Sequence, residues 1–140
     1  MADTIVMCTG AREDALDAKL SGYLDSLTLH LYSNNHTPAI GDTTANFTEC
    51  NFPGYANSAL SDFGAVYLNG SNNAETDSGV HTFTCNGTPS GGNQTVYGWF
   101  TTFGSDLGPA AAFAAPTPIT LTGANQSISI QVLFEDGALL

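Results

Sequence analysis

His30, His36, Glu49, Cys50, His81 and Cys85 are the side chains of this sequence whose types could do chemistry, as metal ligands or as bases and nucleophiles. Four of the six fall in one stretch, LHLYSNNHTPAIGDTTANFTECNFPGYA, from Leu29 to Ala56. Chains that build a metal site usually bring two donors close together in sequence, as CxxC, HxH or HExxH, and none of these spacings occurs. On a strand His81 and Cys85 would share a face but stand roughly 13 Å apart, at about 3.3 Å per residue, too far to chelate one ion. No metal site is expected. Nor is a cofactor, since there is no GxxxxGK[ST] or GxGxxG loop and AETDSG lacks the spacing of a calcium loop.

Nucleophilic chemistry is harder to read. A Ser-His-Asp or Cys-His arrangement assembles only in the folded chain, so spacing alone leaves it open. There is no Gly-x-Ser-x-Gly elbow and no cysteine in a signature context. Pairs of carboxylates can always be drawn from 13 acidic residues, so they point to no particular reaction. The expectation is a protein that is not an enzyme.

The elements that would have to position these side chains are mostly strands. Residues 1–26 read as an N-terminal arm with one short helix, capped by Thr9 and carrying Leu16, Leu20 and Tyr23 on one face. From residue 27 to 140 the apolar period is two, which predicts a single all-β domain, an antiparallel β-sandwich or jelly-roll. Leu27, Leu29 and Leu31 alternate with Thr28, His30 and Tyr32, and Ile128, Ile130 and Val132 alternate with Ser129, Gln131 and Leu133, as in half-buried strands. Val80 to Asn86 and Thr95 to Phe103 are also strand-like, with weaker candidates at ANFTEC, GAVYLN and PITLT. SNNHTPAIGD, GSNNAETDSG, NGTPSGGNQ and TGANQ read as turns and loops, and FGSDLGPAAAFAAPTP as an irregular connection. In Tyr97-Gly98-Trp99 the glycine marks a close backbone approach or a bulge. The aromatics flanking it suit a core between two sheets, or else make Trp99 and Tyr55 surface anchors.

Charge narrows the partners. Thirteen acidic residues face only Arg12 and Lys19, for a net charge of -11, so nucleic acid and anionic membranes are not expected partners. Charged residues make up 11% of the 140 positions, against about 25% in a typical soluble protein, and neutral Asn, Ser, Thr and Gly replace them. Such a surface has few long, entropically costly side chains and suits durable contact with other proteins. The start of the chain has no basic segment followed by an apolar run, which predicts synthesis in the cytoplasm without a signal peptide. Three cysteines, Cys8, Cys50 and Cys85, are an odd set and are expected to be buried free thiols. The six Asn-x-Ser/Thr triplets, at Asn35, Asn46, Asn69, Asn86, Asn93 and Asn125, then follow from composition alone. Leu139 and Leu140 form an apolar end that is expected to be held by the domain or by an adjacent subunit.

Leu29 to Ala56, then VYGWFTTF, then AAFAAPTPITLTGANQSISIQVLF resemble the small β-rich structural proteins encoded in the morphogenesis modules of tailed bacteriophages. The resemblance covers about Leu27 to Phe134. It implies a virion protein, most closely a capsid decoration or cement protein that trimerises and binds the major capsid protein at subunit junctions. It departs at Ala111-Ala112-Phe113, where such proteins often carry a charged pair before the phenylalanine, so a salt bridge there is not expected. Interaction residues on this reading are Leu16, Leu20, Tyr55, Trp99, Leu139 and Leu140. A tail or baseplate adaptor is the alternative of the same kind. A carbohydrate-binding or receptor-binding module is the other, and it would need Trp99, Tyr55 and Tyr67 on one exposed face.

Overall fold

Alternating leucines make the central strand of the protein. In the computed structural model, which describes residues 23–71, 73–113 and 118–136, β1 (Leu27–Tyr32) sends Leu27, Leu29 and Leu31 into one apolar core. The chain then forms β2 (Ser58–Leu60), β3 (Tyr67–Leu68), β4 (Ala74–Asp77), β5 (His81–Cys85), β6 (Gln94–Val96), β7 (Gly98–Phe103), β8 (Asp106–Ala112), β9 (Ile119–Leu121), β10 (Gln126–Ile130) and β11 (Leu133–Asp136). Single 3-10 turns at Leu24–Ser26 and Thr44–Asn46 are the helical segments among the described residues. The fold is all-β. No helix among the described residues is long and apolar enough to cross a membrane.

All strand pairs are antiparallel, in sheets ordered β2-β1-β7-β8, β10-β5, β11-β4-β3 and β6-β9. One core joins most of them, and Phe134 of β11 packs against it. The leucines of β1 meet Leu60 of β2, Phe83 and Cys85 of β5, Val96 of β6, Leu121 of β9, and Ile128 and Ile130 of β10. The period of two in β5 and β10 then leaves Thr82, Thr84, Ser127 and Ser129 outside. There the hydroxyls pair across the strands, Thr82 with Ser129 and Thr84 with Ser127, each at 2.9 Å. Neutral cross-strand pairs of this kind do the work that charges do on most surfaces.

Several expectations need correction. β1 is not half-buried: on its second face His30 stacks on Phe100 of the neighbouring β7, and Tyr32 packs against Phe47 of the long connection after β1, which folds back over that face. Thr95 to Phe103 is two strands. The chain breaks at Tyr97, whose N–H donates to the Tyr32 carbonyl at 2.9 Å, so β6 pairs with β9 while β7 pairs with β1 and β8. The C-terminal run likewise divides into β10 and β11 around Val132, which stays in the core. ANFTEC forms no strand beyond a single bridge from Glu49 to Tyr32. AETDSG, read as loop, supplies β4 because Glu75 and Thr76 find cross-strand partners in β11.

The connection read as irregular contains the longest strand, β8. Its sequence DLGPAAA has low strand propensity, but Gly108 and Pro109 fall where two residues of β8 oppose Thr101 alone, between the pairs Phe100–Ala110 and Thr102–Leu107. A bulge is one of the places a sheet accepts proline. The Thr101 hydroxyl donates to the Pro109 carbonyl there at 2.7 Å. The expected helix, Leu16 and Leu20 on it, Cys8, and Leu139 and Leu140 lie outside the described residues.

Candidate functional site

Each of the three imidazoles is fastened to a carboxylate, and no lysine or arginine occurs after Lys19. Histidines are therefore the only side chains that could carry positive charge in the described part of the chain.

His30 is the hub of the first cluster. Its Nδ1 is 2.7 Å from Glu49 Oε1 and its Nε2 is 2.9 Å from the Thr102 hydroxyl, while the ring stacks on Phe100 at 4.7 Å. An ionised carboxylate can only accept, so Nδ1 carries the proton; with the ring neutral, Nε2 accepts from Thr102. Glu49 also accepts from the Tyr55 hydroxyl at 2.8 Å, and the Tyr55 hydroxyl oxygen itself accepts from the Leu31 N–H at 3.1 Å. Tyr55 reaches this point because Phe52-Pro53-Gly54-Tyr55 is a tight turn. The Tyr55 N–H donates to the Phe52 carbonyl at 2.9 Å, and Gly54 has φ +85°, which suits the third position of a type II turn. Burial, with Glu49 close by, pushes the Tyr55 pKa well above its ordinary value. Burial, and then Glu49, also push the adjacent Cys50 thiol up to about 12, which keeps it a neutral thiol at physiological pH. His30 and Glu49, which looked reactive in the opening stretch, thus satisfy one another.

His36 closes the second cluster. Its Nε2 is 2.7 Å from Asp42 Oδ2, which also accepts from the Ala39 N–H at 2.8 Å, and the Tyr32 hydroxyl donates to the His36 carbonyl at 2.8 Å. The His36 hydrogen bond, then that of Ala39, hold the Asp42 carboxyl below its usual range. Beside this loop an open groove of about 290 Å³ runs between Pro38, Ile40 and Asp42 on one side and Leu107 and Ala110 of β8 on the other. Ile40 is fully exposed at its rim.

The third cluster was not legible in the sequence. His81 Nδ1 is 2.7 Å from the Ser58 hydroxyl and its Nε2 is 3.0 Å from Asp62 Oδ1, a link from β5 to the β2 edge and the loop after it. No local pattern announces these residues, which stand 19 and 23 positions from His81.

A fourth polar group lies on the β11-β4-β3 sheet. Glu75 and Glu135 face each other directly across the strands, an arrangement that repels. The Asn69 amide bridges them at 2.8 and 2.6 Å, and Asn73 holds Glu135 at 2.8 Å. Hydrogen bonds, first from Tyr67 and then from Asn69, lower the Glu75 pKa, and the Tyr67 pKa is in turn raised to about 12 chiefly by its bond to Glu75. A carboxyl whose folded pKa is lowered adds stability above the ordinary carboxylate range and loses it as pH falls through the folded value. The urea midpoint should therefore fall from about pH 6 to about pH 3, and Glu75→Gln should flatten that fall. An unchanged slope in the variant would remove Glu75 from the account.

Of the proposed interaction residues, Tyr55 and Trp99 are half-buried and pack against the main core. Tyr67 is more exposed, on a different sheet. Cys50 and Cys85 are buried and unpaired. Among the described residues, no group of three or more His, Cys, Asp or Glu side chains is placed to hold a metal ion. Comparison with protein-family models, with curated proteins and with solved structures finds no match.

Proposed function

We propose that this chain is a structural virion protein of the capsid decoration kind. It binds the outside of an assembled tailed-phage capsid through the major capsid protein and acts as a homotrimer. The observation that carries the reading is β8. Among the described strands it has a neighbour on one side only, it is half-exposed along most of its length, and it borders the groove beneath Ile40. An edge built of Gly, Pro and Ala offers backbone groups and small side chains to a neighbouring subunit, and it bears one charge, Asp106, at its start. The neutral polar composition and the resemblance of residues 27–134 support the same role. Trp99 and Tyr55 are half-buried and pack against the core, with the Tyr55 hydroxyl held by Glu49 and the Leu31 N–H, which counts against the sugar-binding alternative.

The test is light scattering on the purified chain, followed by co-sedimentation with expanded tailed-phage heads. A mass of three 14.5 kDa chains and saturable binding in hundreds of copies per head are expected. A monomer that does not sediment with any head tried would overturn the reading. Binding in tens of copies, at a tail, would favour the adaptor.

A further inference from the structure

Three histidines each bond a carboxylate, but two of them also bond a hydroxyl, and these two hydroxyls differ in reactivity. Thr102 is a secondary alcohol whose partner His30 is buried against Phe100 and whose carboxylate also serves Tyr55. Ser58 is a primary alcohol, half-buried on the β2 edge, the opposite edge of the sheet from β8. Its base is better served as well. The Asp62 carboxylate must receive its proton from His81 Nε2, which leaves Nδ1 of the neutral ring free to accept at 2.7 Å, so Ser58 O–H donates into it. The side chains of His81 and Asp62 are 12% and 43% exposed, so the relay sits at the surface with its ring shielded. Gly79 makes room for it: a Cβ there would run into Asp62 Oδ2.

We propose that Ser58, His81 and Asp62 form a nucleophilic relay able to take the acyl group of an activated ester, such as an aryl ester of a short acid. This activity goes beyond lattice binding and does not rest on it. Ser58 Oγ attacks the carbonyl carbon while its proton passes to His81 Nδ1, and Asp62 balances the imidazolium that forms. The aryl oxygen departs with the bonding pair and takes the proton back from Nδ1, leaving acyl-Ser58 and a phenol. Water then attacks the acyl-serine by the same route, releasing a carboxylic acid and restoring the Ser58 hydroxyl. The ring is turned so that Nδ1 faces the alcohol, but either imidazole nitrogen serves as base when the other holds the proton. Ser58 is the nucleophile, His81 the general base and Asp62 a positioning residue.

The experiment is incubation of the folded chain with a fluorophosphonate probe and with p-nitrophenyl acetate, the adduct being located by peptide mapping. The expected result is one phosphonyl adduct, on Ser58, absent in Ser58→Ala and formed roughly 100-fold more slowly in His81→Gln, the lower end of what general-base catalysis contributes. Asp62→Asn should slow it too, with near-unchanged far-UV circular dichroism. Wild-type chain unfolded in urea supplies the reference rate for an unassisted serine, so the comparison stands even if one variant does not fold. A folded Ser58 that reacts no faster than this reference would overturn the proposal. So would labelling of Ser58 at equal rates in wild type and a folded His81→Gln, which would leave the three side chains a strut between β2 and β5.

Discussion

Replacing Gly98 with alanine is expected to destabilise the fold by about 3 kcal/mol, at the upper end of overpacking costs. Gly98 opens β7, opposite Ala112 of β8 and Tyr32 of β1. A Cβ built there would collide with the Ala111 carbonyl oxygen, would stand 2.7 Å from the Tyr32 hydroxyl and would stand 2.8 Å from the Ala112 Cα. Two of these three obstacles are backbone, which cannot swing aside as a side chain does. The third, the Tyr32 hydroxyl, is fixed by its bond to the His36 carbonyl, so the disturbance would reach the loop that forms the groove. Gly123→Ala is the control, since a Cβ at that position meets nothing within 4 Å. Urea unfolding of both variants decides the matter. Equal shifts in midpoint would show that the approach of β8 to β7 is not what demands glycine.

Leu29→Ala should cost roughly 3 to 4 kcal/mol, within the range for emptying a fully buried leucine site. Leu29 has no exposed surface and sits mid-strand in β1, flanked by Ser58 of β2 and Thr101 of β7. Strands on both sides limit collapse of the cavity, which keeps the cost high. Leu133, 56% exposed on β11, is the comparison: truncation there should change stability by no more than about 0.5 kcal/mol. A loss below about 1 kcal/mol for Leu29→Ala would mean that the sheets do not share a single core at this point.

How much of this was legible beforehand depended on whether the signal was local. Leu27, Leu29 and Leu31, and Ile128 and Ile130, reveal their strands and inward faces through a period of two, and the core uses all five together with Val132 beyond the end of β10. The close approach at Gly98 was likewise visible, because glycine within a strand pattern carries its own backbone signal. β8 was not visible. Its pairing comes from β7 across a bulge, and nothing in DLGPAAA favours a strand without that partner. β4 was hidden for the same reason, since AETD looks like solvated loop until Glu135, Asn69 and Tyr67 surround it. His30 and His36 are both hydrogen-bonded. The partner of His30, and the whole Ser58 cluster, depend on chain closure over distances that no pattern in one sequence encodes, whereas Asp42 stands six positions from His36.

The near-absence of charge along β8 has a kinetic consequence for whatever pairs with it. A body carrying -11 is slow to approach a second acidic surface at low ionic strength, and added salt screens that repulsion over about 10 Å at 0.1 M. Contacts made along Leu107 to Ala112 involve no ionised side chain, so salt should leave their lifetime nearly unchanged. Association of this edge with an acidic partner would therefore quicken with ionic strength while dissociation holds constant, and that complex would tighten in brine, where most electrostatically guided complexes loosen.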